Sequence, residues 1–485
     1  MARVYALLLC AAVWTAGVAV IGAQGPGSQR LPPSSSPTFS RDVLPILQKN
    51  CQSCHRPGQI GPMPLLTYEQ ARPWARAIKT QVVSRAMPPW HADPRYGHFL
   101  NDRSLDQSAI DTLAAWADGG APQGDVRQAP APIPWPADGW QVQPDVVVTM
   151  PAYAVPSSGV VEWENIAIPS PFAEDTWVTS VEILPSAPAT VHHMCFVFQP
   201  PRPDVVLNRY EWAEIARDAQ GRPVGRQGPP AAAAATPPAS GNGAPANRDA
   251  WILTRDVGST EVKRRLGRPT ITAGGTNCYV PGYSLHDYRE YDAGVLVKGG
   301  QNMIVNLHYQ TVGKPVTNTF KIGFTVAKAK PAKKFVALAP SGATRAFAIP
   351  PNEANYTSPP VELTINKAAR LVWMSPHMHF RGKDMTWSVT YPDGRREVVL
   401  SVPRYQYAWQ LQYHTDVPLP PGTRMRVDAH YDNSAANKAN PDPNTWVYPG
   451  NQAWEEMMNP FTWLLVDVDV DERGLTSPFL QADGA

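Results

Sequence analysis

Strict alternation of apolar and polar residues recurs in the C-terminal two thirds of the chain and limits what that part can form. It runs over residues 320–326, 425–431 and 466–471. A side-chain period of two is typical of a β-strand that is buried on one face. Proline accounts for 53 of the 485 residues, about twice the usual ~5%, and its spread through the chain favours short strands joined by turns. Residues from 138 onward are therefore predicted to be all-β, with more than one β-sandwich.

Residues 37–125 have a different pattern and are predicted to form a small all-α domain. Helices are expected over 40–50 and 68–86. A third helix is predicted from a capping box formed by Ser104 and Gln107, and a pair of glycines ends it. Its apolar residues recur at helical spacing, so the three helices are expected to share a core.

A proline-rich segment, 126–137, separates the helical part from the β part. Four of its prolines alternate with other residues, and such a sequence cannot continue a helix. We therefore expect a stiff linker.

The first residues resemble a secretory signal peptide, 1–23. Arg3 precedes an apolar run that ends at Ala23, which is the order of a cleavable signal. An uncleaved anchor helix is the alternative, because the run is nearly long enough to span a bilayer. Residues 24–36 are rich in Gly, Pro and Ser and are expected to be a flexible leader. No later run reaches ~18 apolar residues, so we expect no transmembrane segment after signal removal and a periplasmic or secreted protein.

The charge balance excludes one class of partner. The 43 Lys and Arg residues nearly match the 41 Asp and Glu residues, for a net charge of +2. Proteins that bind nucleic acid draw much of their affinity from a basic face. We therefore expect no nucleic-acid partner.

The pentapeptide Cys51-Gln52-Ser53-Cys54-His55 is the strongest chemical signal in the chain. A Cys-x-x-Cys-His sequence attaches haem c, in which both thiols bond the porphyrin and the histidine becomes an axial iron ligand. A redox Cys-x-x-Cys pair is the alternative, but it needs no following histidine and normally lies in a βαβ unit. Short predicted helices after an export signal favour one covalent haem c.

The sixth ligand of that haem iron is predicted to be Met87. Prolines 88 and 89 follow it and hold the chain extended. A His/Met pair gives a high-potential, electron-transferring haem. Met63 and His91 are the rival candidates.

Histidines are placed in an unusual way in the β part. His192 and His193 are adjacent, and His377 and His379 flank one residue. On a strand, residues i and i+2 face the same way, so the second pair can chelate one metal. The first pair faces opposite ways unless the strand is bulged, twisted or at its end. His308 lies alone in its predicted strand and needs partners from elsewhere. For any one of these residues, a hydrogen-bonded core or surface histidine is the ordinary alternative.

The donor types narrow the choice of metal. Imidazole suits Zn, Cu, Fe and Ni, and a thioether partner selects copper. No carboxylate-rich cluster accompanies the histidines, which disfavours non-haem iron. Met457 and its neighbour Met458 offer a thioether.

Four separated motifs, in this order, resemble those of the copper type II, ascorbate-dependent monooxygenases. That family includes the peptidylglycine α-hydroxylating and dopamine β-monooxygenases. The motifs are His192-His193-Met194, Leu307-His308-Tyr309, Pro376-His377-Met378-His379 and Glu455-Glu456-Met457. The resemblance covers about residues 138–475, and the chain looks like a bacterial member fused to an N-terminal cytochrome c domain.

The resemblance implies two jelly-roll-like sandwiches, 138–335 and 336–478, that face each other across a water-filled cleft. Each would carry one copper ion. The ligand sets carried over from the family are, for the electron-transfer copper, His192, His193 and His308 and, for the oxygen-binding copper, His377, His379 and Met457. Met458 is the alternative to Met457 if the register differs by one. The family's acidic residue before the methionine is matched by Glu455, with Glu456 following.

By the same resemblance, the expected activity is a copper-dependent monooxygenase that hydroxylates a C–H bond of a small organic substrate with O2. The family uses ascorbate as the reductant, and here a redox protein or the tethered haem is an alternative route for electrons. A haem tethered through residues 126–137 would act at high effective concentration. The alternative function is a non-catalytic electron-transfer or copper-binding protein.

The chain departs from the peptide-amidating members at three positions. Ser375 stands where they have a carboxylate-binding Arg, Phe461 where they have a Tyr, and Asn306 where they have a Gln. A glycine-extended peptide is therefore not the expected substrate. Phe461 and Trp373 would make the pocket more apolar if they line it.

Two further cysteines, Cys195 and Cys278, remain outside the haem motif and the signal segment. In an oxidising compartment they can pair as a disulfide. Two free buried thiols and a His/Cys copper site that includes Cys195 are the alternatives.

Overall fold

The computed structural model describes residues 36–150, 152–159, 161, 164–200, 270–272, 277–339, 347–449 and 453–478. The predicted signal peptide, 1–23, and all of the predicted leader but residue 36 lie outside these residues. Within them, none of the helices has the length and apolar character that crossing a membrane requires.

A small helical region forms the N-terminal part of the described chain. It opens with a π-helical turn at Phe39–Val43, which continues into the first α-helix. The helices are α1 (Leu44–Asn50), α2 (Tyr68–Ala71), α3 (Ala75–Val83) and α4 (Gln107–Asp118), with 3₁₀ turns at Arg72–Trp74 and Val126–Gln128. They enclose a core of their own, in which Leu47, Leu113 and Trp116 are fully buried.

Two sequence predictions for these helices need correction. The segment expected as one helix over 68–86 is broken at Arg72–Trp74, where Pro73 removes a backbone donor, and it ends at Val83. The capping box is also wrong. Asp106, not Ser104, is the N-cap of α4 and makes no side-chain cap bond, and Asp102 accepts from the Ser104 amide instead (2.7 Å).

The predicted linker, 126–137, lies along the helical region. Its Ala131 carbonyl accepts from the Gln48 side chain (2.9 Å). The Arg56 guanidinium stacks over the ring of Trp135, 4.1 Å from its centroid. The segment is thus fastened near the Cys51–His55 motif.

Strands follow from residue 146 onward. Those of the first part are β1 (Val146–Thr149), β2 (Tyr153–Val155), β3 (Glu164–Pro169), β4 (Thr176–Pro185), β5 (Val191–Gln199), β6 (Thr270–Thr272), β7 (Asn277–Tyr279), β8 (Leu285–Asp287), β9 (Ala293–Val297), β10 (Asn302–Tyr309), β11 (Val316–Asn318) and β12 (Phe320–Val326). Those of the second part are β13 (Lys333–Ala339), β14 (Tyr356–Thr357), β15 (Val361–Ile365), β16 (Ala369–His377), β17 (Gly382–Thr390), β18 (Arg396–Val402), β19 (Tyr413–Leu419), β20 (Arg424–Tyr431), β21 (Asn459–Asp467) and β22 (Thr476–Pro478). Short 3₁₀ turns lie at Pro188–Thr190 and Arg289–Tyr291.

Two of the three alternating patterns are confirmed, as β12 and β20. The third is correct only at its start, because β21 ends at Asp467. There the amide of Val470 bonds back to the carbonyl of Asp467 (3.0 Å) and closes a turn. A lysine, Lys330, pairs with the exposed Asp469 in this turn.

The strands are stacked as sandwich-like layers, as predicted. A long sheet has the order β1-β12-β4-β9-β13-β21-β16-β19, with β6 and β8 paired at its side. One end of it faces the sheet β3-β10-β5-β7, and Phe196, Phe198 and Phe324 pack between them. The other end faces the sheet β18-β17-β20-β15-β22, where the Trp387 indole donates to Thr462 (3.0 Å).

The long sheet is shared by both halves, which the sequence did not predict. Successive residues of β21 alternate between the two cores, with Trp463 and Leu465 in one and Leu464 and Val466 in the other. Such a strand has no solvent face, so it is apolar throughout. The domain boundary expected between residues 335 and 336 falls inside β13, which pairs with β9 on one side and β21 on the other.

Candidate metal centre and cavity

Three buried histidines of the first half converge on one point. The possible ligand atoms of His192, His193 and His308 all lie within 4.8 Å of one another. Their ring centroids are 5.1–5.3 Å apart. His308 is more than a hundred residues from His192 and His193 in the sequence, and the fold brings the three together in one cluster that can hold a metal ion.

A β-bulge explains how two adjacent histidines join the same cluster. On the paired strands β5 and β10, His308 lies opposite His193, but Tyr309 lies opposite Val191. His192 is therefore the extra residue of a bulge, which re-aims a side chain that would otherwise point to the opposite face. A bulge is one of the distortions by which two adjacent histidines of a strand can face the same metal ion.

Burial keeps these imidazoles neutral. Desolvation, followed by the neighbouring histidines, holds the pKa of His192 and of His193 well below the usual range. The same causes lower the pKa of His308 to about 4. Neutral imidazole is the form that binds metal, so the set is ready to bind at neutral pH without releasing a proton.

The second histidine pair lies at the end of β16. His377 is the last residue of that strand, and His379 lies in the connection to β17. Their ring centroids are 5.4 Å apart. The two rings are near each other, as predicted, but the reason differs, because only His377 belongs to the strand. Burial lowers the pKa of His377 to about 4 and that of His379 well below the usual range.

The orientation of His379 leaves one nitrogen for a ligand. Its Nδ1 lies 3.1 Å from the carbonyl oxygen of Glu455, which fixes the proton on that nitrogen. Its Nε2 is buried without a hydrogen-bond partner. A buried acceptor left in this way is costly, and a metal ion would satisfy it.

Glu456 ties the two segments of the second set together. Its carboxylate accepts from the backbone amides of His379 (2.8 Å), Arg381 (2.6 Å) and Met457 (3.3 Å). Burial raises the pKa of this carboxyl to about 8. The side chain therefore braces the methionine and histidine segments and is fully occupied by the backbone. Among the two glutamates that precede Met457, Glu456 is the one whose carboxylate accepts these three backbone hydrogen bonds.

The two sets meet, whereas the resemblance implied a separation across a water-filled cleft. The ring of His193 lies 5.6 Å from that of His377, centroid to centroid, in an edge-to-face arrangement. Gln410 connects the sets: its amide nitrogen is 2.8 Å from Nε2 of His192, and its amide oxygen is 2.8 Å from Nδ1 of His377. Tyr407 stacks on His192 with 4.0 Å between the ring centroids.

A cavity of about 240 Å³ opens beside both sets. Its walls come from the strands β5, β7, β8, β10, β16 and β21 and from three nearby connections. They are formed by His193, Cys195, Val197, Cys278, Val280, Tyr283, His286, Asn306, Ser375, His377, Gln410, Gln412, Met457, Asn459, Phe461 and Trp463.

Met457 is placed at this cavity, whereas Met458 is buried in the core of the second half. The sulfur of Met457 accepts from the Asn459 amide (3.3 Å). This arrangement favours Met457 over Met458 as the thioether of the second set.

The three positions at which the chain departs from the peptide-amidating enzymes all line the cavity: Ser375, Phe461 and Asn306. The condition stated for Trp373, that it line the cavity, is not met. That residue does not contribute to the wall and lies behind Trp463, with 6.1 Å between the ring centroids.

The predicted disulfide between Cys195 and Cys278 is confirmed. It joins β5 to β7, on which the two cysteines are directly paired. Both sulfurs belong to residues of the cavity wall, and Cys195 lies two residues after His193. The two alternatives that needed a free Cys195 are thereby excluded.

The Cys51–His55 motif brings two free thiols and one oriented imidazole together. Cys51 and Cys54 are free thiols, both half-buried. His55 directs its Nδ1 to the carbonyl of Met63 (3.1 Å), which would leave Nε2 for iron. Gly61 allows this approach, because a Cβ there would lie 2.8 Å from Nδ1 of His55.

The three candidates for the sixth ligand have different surroundings. Met63 packs against the core of the helical region, as a methionine between helices often does. The backbone of His91 is hydrogen-bonded to Tyr413 of the second half. Met87 is half-buried and belongs to none of the described cores. Met87 stays the predicted sixth ligand, with Met63 and His91 as its rivals.

The haem motif lies against the loop that follows the disulfide. A Cβ at Gly282 would lie 3.5 Å from the Cys54 sulfur. Arg103 of the helical region donates to the carbonyl of the same glycine (2.9 Å). A short stretch of chain, Cys278 to Gly282, therefore separates the haem motif from the disulfide at the cavity.

Several residues of this site could not be found from the sequence. Gln410 and Tyr407 lie in the connection between β18 and β19, in a stretch without a metal-binding or catalytic motif. Their role follows only from the fold, which lays this connection across both histidine sets.

Comparison with known proteins gives no family for the chain. No family model matches it, and no curated protein matches it. Among solved structures, the infectious bursal disease virus VP2 subviral particle is 9% identical over 67% of this chain and 72% of that chain, with a TM-score of 0.16. The stem and receptor-binding domain of the spike protein P1 from bacteriophage PM2 is 8% identical over 67% of this chain and 98% of that chain, with a TM-score of 0.10. Likenesses this slight carry no argument about fold or function.

Proposed function

We propose that the chain is a copper-dependent monooxygenase that hydroxylates a C–H bond of a small organic molecule with O2 and receives electrons through a covalently attached haem c. The observation that carries the proposal is the meeting of two different donor sets at one cavity. Three imidazoles form one set, and two imidazoles with a thioether form the other. A protein that only stores copper has no need of a cavity at that place.

The reaction sets the requirements for the site. Insertion of one oxygen atom follows R–H + O2 + 2 e⁻ + 2 H⁺ → R–OH + H2O, so two electrons and two protons must arrive for each turnover. The copper ions would supply one-electron redox chemistry and the reaction with O2. His192, His193 and His308 would hold one ion, and His377, His379 and Met457 the other, the thioether favouring the cuprous state.

The surrounding residues position these ligands. Gln410 fixes the orientation of His192 and His377 at the same time. Glu456 and the Glu455 carbonyl hold His379. Hydrogen bonds of this kind set ring orientation and ligand basicity. The walls of the cavity would orient the substrate and limit access of water to the reacting carbon.

The haem motif supplies a built-in route for electrons. Cys51 and Cys54 would bond the porphyrin, and His55 with Met87 would ligate the iron. The position of Cys54 beside the loop at Gly282 supports this role, because that loop leads back to the disulfide beside His193. Ascorbate or a separate redox protein would then reduce the haem.

Metal content measured beside haem absorbance tests the proposal. We expect about two coppers per haem in the wild type and about one in His379→Ala, since removal of one imidazole strips its site. The exposed His98 provides the matched control, and His98→Ala should retain both ions. No copper uptake, or uptake that ignores His379, would overturn the metal assignment.

Oxygen consumption separates the enzyme from the non-catalytic alternative. Protein with a reduced haem and an excess of reductant should consume O2 beyond the amount that reoxidises its own metals once a substrate is present. Consumption that stops at stoichiometric reoxidation with every substrate tried would favour an electron-transfer or copper-binding protein.

A further inference from the structure

We infer that the cavity takes a small, uncharged molecule with an apolar body and one hydrogen-bond acceptor. This inference rests on the proposed function for its meaning as a substrate class. The evidence for it is the make-up of the cavity wall.

The size of the cavity limits the ligand. A cavity of about 150 Å³ holds one benzene molecule, and this one measures about 240 Å³. Pockets for drug-sized ligands start at about 300 Å³. The space therefore suits a molecule somewhat larger than benzene, such as one six-membered ring with a short substituent.

The wall offers nothing to balance a charge. No Asp, Glu, Lys or Arg side chain is among the residues that line the cavity. Its histidines are buried, and His286 is further committed to the backbone of Cys278, 2.8 Å away. Transfer of a carboxylate or an ammonium group from water into such a site is costly unless a partner compensates it. The side chains of the wall, without bound metal, therefore disfavour a charged molecule of either sign.

Aromatic and aliphatic groups form the body of the wall. Phe461 and Trp463 project from β21, with 6.2 Å between their ring centroids. Phe461 lies 5.9 Å from the ring of His377. Val197 and Val280 contribute from the other side. An apolar ligand that rests on Phe461 would have its carbon atoms close to the second donor set.

Outside the proposed copper ligands, two described residues of the wall keep a buried ring nitrogen without a hydrogen-bond partner, Nδ1 of His286 and Nε1 of Trp463, and of these only the indole nitrogen is always a donor. The indole nitrogen of Trp463 is buried and has no hydrogen-bond partner, and the residue is 3% exposed. Leaving such a donor unpaired costs free energy. A carbonyl, hydroxyl or ether oxygen on the bound molecule would pair it, and this is the origin of the single acceptor in the proposed ligand.

A matched set of probes tests the inference on the full-length protein. Acetophenone is neutral with one acceptor, benzoate has the same shape with a negative charge, and ethylbenzene lacks the acceptor. Binding is measured by equilibrium dialysis at pH 7.5, with and without copper. In the copper-free protein we expect benzoate to bind about a hundredfold more weakly than acetophenone, because its charge is not compensated, and ethylbenzene about fivefold more weakly, for the loss of one hydrogen bond.

Variants then locate the site. Trp463→Phe removes the indole N–H together with one ring, so both neutral probes lose apolar contact, and acetophenone should lose about fivefold more affinity than ethylbenzene because it also loses the hydrogen bond. Val197→Lys should reverse the charge preference in favour of benzoate. The control is Trp446→Phe, at a tryptophan that is 53% exposed and absent from the wall, and it should change neither. The comparison of the three probes on the wild-type protein does not depend on whether any variant folds.

The outcomes distinguish this inference from the proposed function. In copper-free protein, benzoate binding as tight as acetophenone binding, or equal losses of both neutral probes in Trp463→Phe, would overturn the inference even if copper binds as proposed. The expected preference in copper-free protein, together with no copper uptake at all, would support the inference about the cavity and overturn the enzyme.

Discussion

The ring of His193, on β5, meets the ring of His377, at the end of β16, edge to face with 5.6 Å between their centroids. These residues come from the two halves of the chain and from the two donor sets. Their contact brings the two sets directly together at this point. Gln410 strengthens this link, because one amide group contacts a histidine of each set.

Replacement of Gln410 by Leu should weaken both sets at once. The substitution removes the contacts to His192 and His377, and loss of such an outer contact typically costs about 10–100-fold in metal affinity. Competition with a chelator, followed ion by ion, measures the effect. Gln412→Leu is the control, because Gln412 also lines the cavity but bonds His414. Loss of affinity at only one of the two ions would contradict the bridging role.

The metal-free protein should lose stability steeply on mild acidification. Burial holds the folded pKa of His308, His377 and His286 at about 4, below the unfolded value of about 6.5. The unfolded chain therefore binds more protons between these values. The contribution of each histidine to the free energy of unfolding is complete above about pH 6.5, and it falls by about 1.4 kcal/mol per pH unit toward pH 4.

Glu456 acts in the opposite direction, since its folded pKa is raised to about 8. Its contribution to the free energy of unfolding is complete below its unfolded pKa and is lost as pH rises through 8. On acidification, the free energy gained from Glu456 therefore cancels about what is lost at one of the histidines. Urea unfolding of the apoprotein at pH 7.5, 6 and 5 measures the balance. A free energy of unfolding that stays constant or rises toward pH 5 would contradict the combined effect of the three buried histidines, because Glu456 alone raises it on acidification.

Substitution of Gly61 by Ala should prevent correct placement of His55. The added Cβ would lie 2.7 Å from the carbonyl oxygen of Cys54 and 2.8 Å from Nδ1 of His55, so the loop must move. We expect loss of the low-spin haem spectrum in the purified protein. Gly58→Ala is the control, because no atom lies within 4 Å of a Cβ there, although its φ of +79° adds some strain. An unchanged haem spectrum in Gly61→Ala would contradict the assigned role of His55.

Removal of the disulfide should destabilise the first half. The bond closes a loop between residues 83 apart in sequence, and its loss through Cys195→Ala with Cys278→Ala is expected to cost about 2–5 kcal/mol. Thermal unfolding of the double variant measures this cost. Cys195→Ala alone is the comparison, and it should be destabilised to a similar extent. An unchanged unfolding temperature in the double variant would show that the pairing β5–β7 is sufficient without it.

Local pattern predicted the elements better than their ends. The strands β12 and β20 followed from alternation, since each has one face toward a core and one toward solvent. The shared strand β21 could be recognised only in part, because both of its faces are buried and its residues Trp463 to Val466 are all apolar. The turn after Asp467 depends on hydrogen bonding that alternation does not reveal.

The candidate site was predicted as two sets, but not as one assembly. The histidines could be grouped because they are rare and closely spaced. The bulge that brings His192 to the same side as His193 follows from a register shift against β10 and has no sequence signal of its own. The contact between the sets depends on how two distant strands, β5 and β16, are layered, and Gln410 joins them only as a result of that layering.

The pairing of β13 limits how the chain can be divided into fragments. It is hydrogen-bonded to β9 of the first half and to β21 of the second, so a fragment that ends at residue 335 or begins at 336 divides a strand in the middle of a sheet. Each piece would present an unpaired apolar edge, which is a template for aggregation. The two halves are therefore not modules to be expressed, exchanged or recombined separately, and a chimaera with another protein has to inherit the whole β part as one piece.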